Sequence, residues 1–292
     1  MFIDIHVHTR KRPGPPRLDG RQAYATPEYL IERYDKLGIE KAVLLPGVSP
    51  ECSTIPQSNQ EIQEICEEYP DRFIPFCNVD PRSLTNSADS PLDHLLGYYK
   101  EQGFKGIGEV TANLPISDPF VQNLFKHAEN VGLPLTFHLA GQIGGIYGLY
   151  DEPGLPQLER SLARFPKLKF FAHSQTFWAE MGRLRTPADR FGYPDYPIDE
   201  EGVVPKLFRR YENLYGDLSA MSGYNALARD REYAVQFLNE FQDRLMFGTD
   251  ICAPDTPTPL VDFLLQLRDE KLISEEVFRK VAKENAQRLL EL

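Results

Sequence analysis

Eight short apolar runs, each followed by a stretch of helical periodicity, constrain this chain more than any other feature. Rich in β-branched and aromatic residues, they fall at 2–7, 39–46, 72–79, 104–110, 133–139, 167–173, 213–219 and 244–250. Strands alternating with helices imply a parallel sheet, and eight such units close into a barrel better than they extend an open sheet. The expected fold is therefore α/β, a (β/α)8 TIM barrel, which commonly needs about 250 residues. The chain has 292 residues and shows no repeat, low-complexity tract or linker, so residues 1–292 are expected to form one such domain.

The punctuation between the runs agrees. Thr26-Pro27-Glu28 reads as a helix start and Gly38 as its end. Ser58 and Glu61 have capping-box spacing. Ser90-Pro91 and Ser117-Asp118-Pro119 open helices that stop near Gly103 and Gly132. Ser274 begins a final helix whose Val277, Val281, Leu289 and Leu290 suit one buried face.

Composition removes several classes of function. Lys and Arg number 32 against 43 Asp and Glu, a net charge of −11 that repels a phosphate backbone. No apolar run approaches the ~18 residues of a membrane helix, and no basic, signal-like leader precedes Phe2. Cys52, Cys66, Cys77 and Cys252 lie far apart without a CxxC pair, which favours reduced thiols and a cytoplasmic protein. The expected partner is a small molecule, with neither nucleic acid nor membrane; the oligomeric state stays open, a homo-oligomer included.

The chemistry gathers at strand ends. His6 and His8 are two apart on the first run and point the same way, with Asp4 on that face and Ile3, Ile5 and Val7 on the other. In a barrel the polar face is expected to enter the lumen and the apolar face to meet the helices. Glu109 ends the fourth run, His138 the fifth, His173 the sixth and Asp250 the eighth. A barrel collects its catalytic groups at that end of its strands. Imidazoles with one or two carboxylates suit zinc or a similar divalent ion, manganese included. His94 and His127 fall within helices and stand outside this set. Two long βα loops flank it. Residues 9–25 carry Arg10, Lys11, Arg12, Arg17 and Arg21, either a positive rim for an anionic substrate or a solvated loop. Residues 175–202 carry Trp178, which with Arg10, Tyr224 and Asn225 is a weaker candidate for the substrate pocket. Asp217 and Ser219 at the end of the seventh run read as supports for the ligands.

These residues carry a resemblance. IDIHVH, GIGEV, TFHLAG, FFAHSQ, NLYGDLSA, MFGTD and the closing KENAQRLLEL are similar to the amidohydrolase superfamily, and specifically to its amidohydrolase-related group of TIM-barrel metal-dependent hydrolases and decarboxylases. The resemblance runs nearly end to end, and within the group the chain looks like a subgroup without an assigned substrate. It implies His6, His8, His138 and Asp250 as metal ligands, and His173 as ligand of a second ion or contact to substrate. A carboxylate such as Glu109 on the fourth strand resembles the TatD-like deoxyribonucleases and phosphotriesterase-type hydrolases, in which that residue bridges two metals. The other reading of Glu109 is a partner that merely orients a ligand histidine. The expected activity is hydrolysis of a small ester, lactone or amide by metal-activated water, with Asp250 as proton carrier and His173 assisting at the oxyanion. Non-oxidative decarboxylation of a small unsaturated or aromatic acid is the alternative, and a non-catalytic metal- or metabolite-binding protein the third.

Overall fold

The computed structural model describes residues 1–292, and its strands close into a (β/α)8 barrel. The staves are β1 (Phe2–Val7), β2 (Ile39–Leu44), β3 (Phe73–Pro75), β4 (Ile107–Val110), β5 (Leu135–Ala140), β6 (Phe170–His173), β7 (Leu214–Asp217) and β8 (Leu245–Met246). All pairings are parallel, in two arcs, β1 to β3 and β4 to β8. Single bridges join the arcs: Cys77 pairs with Ile107, and Val7 with Ile251. Hydrogen bonds continue across both seams, from Cys77 N to Gly106 O (3.0 Å) and from His8 N to Ile251 O (2.9 Å). A further two-residue strand, Leu149–Tyr150, pairs with the end of β5, and its Tyr150 also bridges Pro115.

Around the barrel lie α1 (Pro27–Leu37), α2 (Asn59–Glu68), α3 (Asp93–Glu101), α4 (Pro119–Val131), α5 (Pro156–Arg164) and α6 (Gln175–Ala179). The second half adds α7 (Val203–Arg210), α8 (Ala220–Ala228), α9 (Arg231–Glu240), α10 (Pro259–Asp269), α11 (Glu275–Arg279) and α12 (Asn285–Leu290). Thr26 and Asp118 accept from Tyr29 N and Phe120 N, satisfying otherwise orphaned donors, and Gly38 (φ 70°) and Gly132 (φ 77°) close α1 and α4. Ser58 accepts from Glu61 N, but the Glu61 carboxylate accepts from Lys11 N (3.1 Å), so the box at α2 is half made. Ser90 does not cap α3. Its hydroxyl donates to Ser83 O, and the helix starts at Asp93. No helix is long and apolar enough to cross a membrane.

β1 departs from the expected strict alternation. Its pairing with β2 slips between Asp4 and Val7, as in a β-bulge. Ile3, before the slip, and Ile5, within it, belong to a small inner cluster with Val43, Phe76, Phe171 and Met246. Asp4 turns the other way and accepts from Tyr34 of α1 (2.6 Å). Within the slip, His6 joins the lumen, while Val7 packs with the helix-facing core. Asp4 is thus not on the site face: one extra residue resets the parity.

The final helix also turns mid-way. Val277 and Val281 pack in the main core, whereas Leu289 and Leu290 join the inner cluster. Between α11 and α12, Lys280–Glu284 is one wide π turn, with Asn285 N–H reaching Lys280 O. That leaves Val281 O free to accept from Phe247 N beside β8 (2.9 Å). α12 then lies under the barrel floor, where Lys105 before β4 donates to Glu291 O.

Candidate metal centre

Strands β1, β4, β5, β6 and β8 deliver the polar groups that gather at the C-terminal mouth. His6 and His8 come from β1, Glu109 from β4, and His138 and His173 are register partners on β5 and β6. Asp250 follows β8 at φ 52°, a left-handed position that Asp tolerates better than most residues. Its N–H donates to His6 O (2.8 Å), which locks the β8 exit to β1.

The side chains converge. His6 Nε2 and His8 Nε2 are 3.1 Å apart. Asp250 Oδ1 stands 3.6 Å from the first and 3.5 Å from the second. Glu109 Oε2 is 3.8 Å from His6 Nε2 and 3.6 Å from His8 Nε2. Its other oxygen, Oε1, lies 2.9 Å from His138 Nδ1 and 3.9 Å from His173 Nε2. His6, His8 and Asp250 form one set of donor atoms within 4.8 Å of one another, and His6, Glu109 and His173 a second. His138 belongs to neither set and reaches the cluster through Glu109.

The outer contacts aim the rings. His8 Nδ1 donates to Leu45 O (2.8 Å), since a carbonyl can only accept, so its Nε2 presents a lone pair inward when the ring is neutral. His6 Nδ1 is held by Asp217 Oδ2 at 2.6 Å, and His173 Nδ1 by the Ser219 hydroxyl at 2.9 Å. Two nitrogen lone pairs 3.1 Å apart repel unless a cation or proton lies between them. The charges say the same. Burial opposes charge on His6, yet the Asp217, Asp250 and Glu109 carboxylates push it up to about 10. Burial, reinforced by the charge on His6, pulls His173 down to about 4. Burial works to raise Glu109, but His138 and His6 outweigh it and hold the carboxyl well below its usual range. A buried anionic cluster that retains a proton on imidazole is one that a divalent cation suits, so the residues present fit a metal site.

A pocket of about 400 Å³ opens from His8, Glu109 and Asp250. Arg17, Tyr24, Gln57, Tyr147 and Cys252 are in its wall, and of these only Arg17, one of the basic residues of the loop after β1, stood out in the sequence. The one signal for Tyr147 was its place in a glycine-rich loop after β5. Gly148 at φ 107° lets that loop fold back so that the Tyr147 ring lies 4.5 Å from His138. The four weaker pocket candidates lie elsewhere. Trp178 is 1% exposed, donates to Asp217 O (2.8 Å) and packs on Phe177 and Phe237. Tyr224 packs edge-on to Phe263, and Asn225 donates to Pro194 O. Arg10 is buried behind the wall, over the Tyr24 ring and donating to Ile55 O (2.7 Å).

A closed (β/α)8 barrel with a histidine–carboxylate cluster at its C-terminal mouth defines the class. The family model described as Amidohydrolase matches residues 3–292, and the chain belongs to that family. No curated protein matches its sequence. Among solved structures it is similar to 5-carboxyvanillate decarboxylase from Sphingomonas paucimobilis, with a TM-score of 0.62, 20% identity, and 100% of this chain and 99% of that one covered. A probable 2-pyrone-4,6-dicarboxylic acid hydrolase from Acinetobacter baumannii, with citric acid bound, matches at TM-score 0.58 and 13% identity, covering 100% and 99%. A dihydroxybenzoic acid decarboxylase from Polaromonas sp., with manganese and 2-nitroresorcinol bound, matches at 0.58 and 16%, covering 100% and 97%.

Proposed function

We propose that the chain is a metal-dependent hydrolase acting on a small carboxylic ester, lactone or amide. The observation that carries this reading is the orientation of Glu109, whose two oxygens face different imidazoles: Oε2 toward His6 and His8, Oε1 toward His138 and His173. A carboxylate so placed suits a bridge between two dications. The proposed ligands are His6, His8, Glu109, His138, His173 and Asp250, and this imidazole-rich set suits zinc first and manganese second. Bound there, the ions would polarise a carbonyl oxygen and make hydroxide available at neutral pH. Asp250 is the proposed proton carrier. Its side chain is 25% exposed against 6% for Glu109, and it lines the pocket, so its carboxylate can accept the proton of the attacking water and return it to the leaving group. Asp217 keeps His6 in place by holding Nδ1.

Decarboxylation of an unsaturated or aromatic acid is the second reading, favoured by the Tyr147 ring, a flat face in the pocket wall against His138. Two measurements separate them. Protein purified without chelators should hold about two metal ions per chain by elemental analysis, and Glu109→Gln should lower this toward one, because a neutral amide does not offset the repulsion of paired dications. With a panel of small esters, lactones and amides the loaded protein should release protons and a new carboxylate. One ion per chain unchanged in Glu109→Gln, with carbon dioxide released from aromatic acids, would reverse the assignment.

A further inference from the structure

The glycine-rich loop after β5 is sewn to the loop after β4, although its only regular structure is the strand Leu149–Tyr150. Asn113 makes much of the seam. Its Nδ2 donates to Gly148 O (2.9 Å) and Gln142 O (3.2 Å), and its Oδ1 accepts from Gly144 N (2.6 Å). Backbone bonds continue it, from Gly148 N to Thr111 O (2.7 Å), from Tyr150 N to Leu114 O (2.8 Å) and from Ile116 N to Tyr150 O (2.9 Å). The close approach to β5 depends on glycine, since a Cβ at Gly148 would stand 2.8 Å from His138 Cδ2. A loop tied at both ends and in the middle is held in one shape before any substrate arrives.

That shape presents Tyr147. The ring rests on His138, and the residue shares the pocket wall with Glu109 and Asp250. Its hydroxyl lies within the field of both carboxylates. Tyr147 is 38% exposed, and the hydroxyl donates to no acceptor of the protein. Such a phenol is a neutral donor at pH 7. His173, to which the resemblance gives the oxyanion, is placed differently. It is buried and outside the pocket wall, with Nδ1 against the Ser219 hydroxyl and Nε2 toward Glu109 and Asp250. A carbonyl attacked from the Asp250 side develops its charge on oxygen, and Tyr147 offers a donor from the Glu109–His138 side.

We propose that Tyr147 is a catalytic residue that donates a hydrogen bond to the oxygen of the reacting carbonyl as charge develops there, with Asn113 as the positioning residue that aims it. This rests on the hydrolase reading above and moves the oxyanion role from His173 to Tyr147. No bond to Tyr147 forms or breaks, and its proton stays on the phenol. A donor fixed in advance costs no reorganisation at the moment of reaction, so its loss should lower kcat more than it raises KM.

The test is calorimetric binding of methylphosphonate, a tetrahedral anion resembling the hydrolytic intermediate, to metal-loaded protein, with metal content measured on each sample. The samples are wild type, Tyr147→Phe, Asn113→Ala and the double variant. Tyr147→Phe keeps a ring on His138 and removes only the donor. Methylphosphonate should bind the wild type and weaken about tenfold or more in Tyr147→Phe. Asn113→Ala should weaken it by a similar or smaller factor, yet by less than about twofold when added to Tyr147→Phe, because no donor is left to misplace. With any ester or lactone that the wild type hydrolyses, Tyr147→Phe should lower kcat by about 10²-fold and leave KM nearly unchanged. Equal methylphosphonate affinity in wild type and Tyr147→Phe, or none in the wild type, would overturn the donor role. Fully additive losses would overturn that of Asn113. Failure of the hydrolase reading shows separately, as carbon dioxide release from aromatic acids in place of ester or lactone turnover.

Discussion

Asp250 combines two properties that the other cluster residues divide among themselves. It stands within 3.6 Å of both β1 histidines, and it is the most exposed of the three carboxylates that border the pocket. Position alone makes it a ligand candidate, and access to the pocket makes it a proton carrier. Asp250→Asn separates these roles, since an amide oxygen can approach a cation but takes no proton from water. Elemental analysis should find most of the metal retained, and ester or lactone turnover should fall by about 10²–10⁴. Parallel loss of metal and turnover would make Asp250 chiefly a ligand. Residues of this kind were readable in the sequence because a strand end is a fixed address in a barrel, and His6, His8, Glu109, His138, His173 and Asp250 all hold such addresses. Loop residues have none. Trp178 and Tyr147 both follow histidine-bearing strands, yet one is a core residue and the other pocket wall. The difference depends on the path of each loop, and no periodicity records it.

At the scale of elements, the helix starts were legible wherever a side chain caps its own helix, as Thr26, Asp118 and Ser274 do. They were not where the polar residue found another partner, as with Ser90. The β1 slip and the π turn share a cause that sequence patterns hide: each adds a residue to a regular repeat to meet a tertiary need. In β1 it sends Asp4 toward Tyr34 and Thr249 while the next residues supply both Ile5 and His6 to the lumen. At the π turn it frees a carbonyl for β8 and rotates α12 under the floor. Asn285 fixes that rotation, donating from Nδ2 to Gln242 O (2.7 Å) and Leu245 O (2.8 Å) while 2% exposed. Asn285→Ala strips both carbonyls of this donor. Urea unfolding should show a loss of about 1–3 kcal/mol, with metal content unchanged because the site lies at the other end of the barrel. A loss below about 0.5 kcal/mol, the level of an ordinary surface substitution, would mean that α12 is held by packing of Leu289 and Leu290 alone.

For the whole molecule, the barrel concentrates negative charge where it has least solvent. Glu109, Asp217 and Asp250 meet at one mouth of a chain already at −11, and Asp217 is fully buried. Without a metal the compensating charge is a proton on His6, pushed up by these carboxylates to about 10 from an ordinary value of 6.5. A histidine raised on folding contributes stability that is complete below its unfolded pKa and is lost as pH climbs through the folded one. Chelator-treated protein should therefore show a thermal midpoint that declines from about pH 6.5 and is lowest once pH passes about 10. Loaded protein should behave differently, because metal replaces the proton and its binding stabilises the folded chain by mass action. Its midpoint should be higher throughout, and the gap between the two forms should widen with rising pH. Differential scanning calorimetry of both forms across that range reads the gap directly. A gap that stayed constant, or narrowed toward alkaline pH, would mean that some group other than His6 carries the compensating charge in the metal-free barrel.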